Sequence, residues 1–71
     1  MGRVMVETSA FEFSHGRKPR GTGSWAFMLG DGTGRWLSEM FWVHNAAYGE
    51  AKRQAVAEAR RQGCCEVSVQ P

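Results

Sequence analysis

NAAYGEAKRQAVAEARRQ, residues 45 to 62, decides how this chain folds. It is the only segment with a sustained helical period, and it predicts a helix over Ala46 to Gln62. Tyr48, Ala51, Ala55 and Ala59 recur at three- and four-residue spacing on one face, flanked by Val56. A face built from alanine lets a helix approach its partner closely, so the partner must supply the bulk. Asn45 reads as the N-cap and Gly63 as the C-cap. Arg60 and Arg61 suit the negative end of the helix dipole. Gly49 weakens the first turn by up to about 1 kcal/mol.

Nearly all the aromatic residues lie upstream, in segments with strand-like alternation. Arg3 to Ser14 reads as extended: Val4 and Val6 alternate with Met5 and Glu7, and Phe11 and Phe13 with Glu12 and Ser14. The apolar phase shifts at Thr8, Ser9 and Ala10, which predicts a bulge or a break there. His15 to Gly23, HGRKPRGTG, reads as a loop shaped by Pro19 and three glycines. Ser24 to Leu29 is a strand with Trp25, Phe27 and Leu29 on one face. Gly30 to Gly34 contains Asp31-Gly32, a hairpin signal. Arg35 to Val43 reads as a third strand, apolar on both faces. Trp36, Met40 and Trp42 lie on one side, and Leu37, Phe41 and Val43 on the other. Glu66 to Gln70 is a last strand, with Val67 and Val69 inward. The expected fold is therefore one small α+β domain over residues 1–71, of order β-β-β-α-β. It is a three-stranded antiparallel meander with one helix on one face, and a short fourth strand parallel to whichever neighbour it joins.

Seventy-one residues support one core, because chains this short bury only about 60% of their unfolded surface. A hydrophobic share of 42% is enough for that core and too high for a disordered chain. No apolar run reaches membrane-spanning length, and MGRVMVETS lacks a charged segment followed by an apolar one. Met1-Gly2 is not followed by the Ser or Thr at position 6 that myristoylation wants. The expected compartment is the cytosol, with Cys64 and Cys65 as reduced thiols, since adjacent cysteines bridge only under strain.

The net charge of +2 permits an anionic partner without demanding one. Its distribution is more informative: Arg17, Lys18, Arg20 and Arg35 lie in a stretch whose only acid is Asp31. His15, Arg17, Lys18 and Arg20, interleaved with glycines, are donors suited to phosphate, and Trp25 or Trp36 is suited to stack on a base or sugar. The same residues also describe a plain solvated loop. Gly30 to Gly34 opens a strand, not a helix, so it is no dinucleotide fingerprint. No Gly-Lys-Ser/Thr makes a phosphate-binding loop. His15, His44, Cys64 and Cys65 lack metal-ligand spacing, so no metal or other cofactor is expected. Nothing assembles a nucleophile with a base, and Thr8 to Ser14 offers only Glu12 as a carboxylate, so the expectation is a non-enzymatic binder. The third-strand aromatics read as core, or as a protein-binding face of the kind Trp and Arg dominate.

Three segments together carry a resemblance: Phe11 to Ser14 (FEFS), His15 to Phe27 (HGRKPRGTGSWAF) and Ala47 to Ala55 (AYGEAKRQA). Over about residues 11 to 59 the chain resembles short uncharacterised proteins of phages and other mobile elements, similar in size and sheet-plus-helix build to several anti-CRISPR inhibitors. That resemblance implies a non-enzymatic binder of a host protein or of nucleic acid, and it assigns no site residues. Two functions are therefore expected. One is nucleic-acid binding through the basic loop and the sheet face, with His15, Arg17, Lys18, Arg20, Trp25, Arg35 and Trp36 as contacts. The other is an inhibitor that binds a host protein. A free sheet edge also offers pairing into a homodimer.

Overall fold

A computed structural model describes residues 3–71. The readings placed on Met1 and Gly2 fall outside them. The element order is β1 (Met5–Glu7), α1 (Ser9–His15), β2 (Thr22–Gly30), β3 (Phe41–Ala47), α2 (Tyr48–Arg61) and β4 (Glu66–Val69). The α+β class is as expected. The meander is not: the strands form one mixed sheet in the order β1-β4-β2-β3. β4 lies inside the sheet, parallel to β1 and antiparallel to β2, which in turn pairs antiparallel with β3. Three strands thus run one way, with β2 against them. The physical reason is burial: Val67 and Val69 are fully enclosed, which an edge position does not provide.

The first expected strand is mostly helix. Extended structure ends at Glu7, whose carboxylate accepts from the Ser9 amide at 2.7 Å, and α1 follows. Phe11 and Phe13 alternate like strand residues. In the helix Phe11 turns into the core, and its ring stacks on His15 four residues on, with centroids 4.1 Å apart. Phe13 faces water, 93% exposed. The phase shift at Thr8 to Ala10 therefore marks a change from strand to helix, not a bulge.

The expected hairpin turn and third strand are also displaced. Residues 31 to 40 form an exposed connection, touching the sheet through a bridge between Gly30 and Trp36. Asp31 folds back on itself, accepting from the Thr33 amide at 2.9 Å and the Thr33 hydroxyl at 2.7 Å. That local alternative draws the backbone away from a two-residue turn. β3 starts only at Phe41. Of the expected strand, Phe41 and Val43 do face inward and Trp42 outward. Trp36, Leu37 and Met40 are exposed on the connection.

Asn45 is not the helix cap. Ala47 occupies that position with extended dihedrals and no side-chain cap bond, and Asn45 lies within β3 at φ 54°. Gly23 pairs with Ala46 and Trp25 with Val43, so two β3 residues, His44 and Asn45, oppose Ser24 alone. This is a β-bulge, and Asn tolerates its left-handed conformation better than most residues. The extra residue turns Ala46 toward the core, while Trp42 and His44 remain on the opposite face.

The alanine face of α2 is as its sequence predicts, although the helix runs over Tyr48–Arg61 and Ala46 and Ala47 belong to β3. Ala51, Ala55 and Ala59 are fully buried, and Tyr48 packs beside them. They meet Phe27, Leu29, Val67 and Val69, each of which contributes about 1.5–3 kcal/mol on burial. Gln62, not Gly63, is the C-cap; Gly63 at φ 75° is the next residue. Gly63 N–H donates to the Arg60 carbonyl at 3.2 Å and Cys64 N–H to that of Ala59 at 2.7 Å, the Schellman pattern. Cys64 is thereby carried into the core.

Candidate nucleic-acid interface

Both helices contribute to one core face of the sheet, so the other face is left open. On β2 and β3 it presents Ser24, Met28, Trp42 and His44, with Ala26 buried between them. Trp42 is 54% exposed, and its ring is nearly parallel to that of His44, with centroids 5.8 Å apart and planes at 6°. Ser24 Oγ and His44 Nδ1 share a hydrogen bond of 3.1 Å at the bulge. Ala26 pairs with Trp42 in register, is itself buried, and lines the same groove as the indole.

At this end of the sheet the open face becomes a groove of about 350 Å³. Its lining includes Ala26 and Trp42 from the hairpin, Gln70 after β4, and His15, Arg17 and Arg20. The basic loop is held in place by its backbone. Gly16, left-handed at φ 69°, closes α1 by donating to the Glu12 carbonyl at 2.8 Å. Pro19 is buried, and the Gly21 carbonyl accepts from the Tyr48 amide at 2.9 Å. The charged side chains between these anchors point outward, since Arg17, Lys18 and Arg20 are all exposed. None of the three forms an ion pair among the described residues. The helical arginines differ. Arg53 pairs with Glu50 and Arg61 with Glu58, contacts that hold both carboxylates below their usual range.

The expected site residues divide three ways. His15, Arg17 and Arg20 converge on the groove, and Lys18 lies on the same loop outside its lining. Trp25 touches the groove only from below. It is 7% exposed, and its ring is packed between Phe11 and Tyr48 at 5.8 and 5.0 Å, so it offers no stacking surface. Arg35 and Trp36 follow the far end of β2, roughly 25 Å along the strand from the basic loop. Trp36 is 38% exposed and leans over Gly30. Trp42, His44, Ser24 and Gln70 were not among the expected contacts. Alternation sets Trp42 on the face opposite Phe41 and Val43, but does not say which of the two faces is open.

A second groove, about 340 Å³, lies at the opposite end, between Leu29, Leu37, Met40 and Gln62. Among the described residues no three His, Cys, Asp or Glu gather as a metal site, and no helix is long and apolar enough to cross a membrane. The fold and groove define a small α+β domain with an open, aromatic-bearing sheet face beside a cationic loop. No family model, curated protein or solved structure matches this chain.

Proposed function

We propose that this chain is a small non-enzymatic module that binds nucleic acid through the groove between its basic loop and its open sheet face. The observation that carries this reading is the placement of Arg17 and Arg20, unpaired and backbone-anchored, on the lining of the groove that Trp42 shares. Cations without internal partners lose no ion pair when they meet phosphate, and an anchored loop loses little entropy on binding. Cytosolic action is in keeping with the free thiols of Cys64 and Cys65.

The test is fluorescence anisotropy with labelled oligonucleotides across a salt series. Affinity falls steeply with salt, and the triple variant Arg17→Ala, Lys18→Ala, Arg20→Ala flattens the slope. Absence of binding to single strands and to duplexes at low salt removes this reading.

A second reading has its own support at the far end of the molecule. Trp36, Leu37 and Met40 are exposed together on one connection beside the 340 Å³ groove. Such a patch suits the protein-binding alternative, a phage- or mobile-element-borne inhibitor of a host protein.

A further inference from the structure

We infer that the groove takes an unpaired strand, with one base stacked on Trp42 and the adjoining phosphates on Arg17 and Arg20. This rests on the nucleic-acid reading above and specifies its ligand. Three observations point the same way.

The first is shape. Duplex DNA is commonly read by a convex element entering a major groove about 12 Å wide. Here the free charge lines a concave site of about 350 Å³, at the low end of small-ligand pockets. A concave site of that size fits a splayed base better than it fits the groove of a duplex.

The second is where charge is already satisfied. α2 is the one long helix, and it would be the reading helix of a duplex binder. Two of its outer arginines, Arg53 and Arg61, are taken up by Glu50 and Glu58. Lys52 and Arg60 of α2 have no carboxylate partner among the described residues, but neither lines a groove, whereas Arg17 and Arg20 do.

The third is the presentation of Trp42. A stacked duplex offers the π-face of a base only at its ends, so an exposed indole on a sheet has little to meet on a duplex. On an unpaired strand every base offers such a face. Ala26 and Gln70 line the groove beside the indole, Ala26 with a single methyl and Gln70 with an amide whose nitrogen donates to Ser68. Arg17 to Arg20 span at most about 10 Å of extended chain, a reach that suits one or two phosphates.

The experiment uses the full chain with labelled oligo(dT) and oligo(rU) of about fifteen nucleotides, and a mixed-sequence duplex of the same length. We expect either or both single strands to bind at least about tenfold more tightly than the duplex; their order tells DNA from RNA. Trp42→Ala weakens single-strand binding about 5- to 150-fold, the range carried by one stacked base, and leaves the salt slope unchanged. Ala26→Leu, which fills the groove floor without altering charge, also weakens it. Circular dichroism confirms that each variant is folded. Duplex binding equal to or tighter than single-strand binding overturns this inference while sparing nucleic-acid binding. Folded Trp42→Ala and Ala26→Leu variants that both bind like the parent also overturn it. No binding to any of the three probes removes the functional reading beneath it.

Discussion

The indole Nε1 of Trp25 donates to the main-chain carbonyl of Ala46 at 2.9 Å. The bond joins the middle of the core to the bulged end of β3, immediately before α2. A ring with aromatic neighbours on either side thus also satisfies a backbone acceptor next to the irregular part of the sheet. Trp25→Phe leaves that carbonyl without its donor and opens a gap between Phe11 and Tyr48. The expected loss is about 1–3 kcal/mol in urea unfolding. A change smaller than about 0.5 kcal/mol would show that the indole bond does not hold the bulge.

The bulge itself rests on Asn45 at φ 54°. Serine caps helices as well as asparagine does, but it has no comparable tolerance for left-handed backbone. Asn45→Ser should therefore cost about 1 kcal/mol, while Asn45→Gly should be neutral or slightly stabilising. Thermal melts of the two variants test this: if Asn45→Ser melts with the parent, the left-handed position does not depend on asparagine.

Ala55 is fully buried where α2 meets the sheet. Ala55→Leu forces three extra carbons into a filled interface and should destabilise by about 1–3 kcal/mol. Denaturant midpoints measure this directly. A neutral result would contradict the close approach that the alanine stripe permits.

Acid should weaken the fold slightly through Glu50 and Glu58. Hydrogen bonds from Arg53 and then Gln54 lower the Glu50 pKa, and those from Arg61 and then Gln62 lower that of Glu58. A carboxylate whose pKa is lower in the folded chain stabilises it above the unfolded value, here about 4.5, and that stability is lost as pH falls through the folded value. All four partners are on the solvent side of α2, so the effect is small and screened by salt. Urea midpoints between about pH 3 and 6, at low and high salt, test the sign. Stability that rises on acidification over this range would reverse it.

The cationic side of the groove is legible in the sequence. The loop from His15 to Gly23, its cations and its shaping by Pro19 follow from composition, and three of its residues do converge on one site. Trp25 is enclosed in the core, which its alternation with Phe27 and Leu29 does not reveal, since alternation identifies a face without saying which face the helix covers. Arg35 and Trp36 were misplaced because the apolar run from Trp36 to Val43 reads as strand in either phase. The fold of Asp31 onto Thr33 and the bulge at Asn45 move the real strand toward the helix.

The sequence alone determined α2, its buried alanine stripe and the cationic loop, because helical period, glycine and proline act over a few neighbouring residues. Tertiary structure alone decided that Ser9–His15 is a helix, that β4 enters between β1 and β2, and that Trp42 rather than Trp25 is the exposed ring in the groove. Seven residues with one inward ring fit two periods equally well, and a strand's neighbours come from distant parts of the chain. Those choices follow from which surfaces are buried together, and no local spacing of residues contains that.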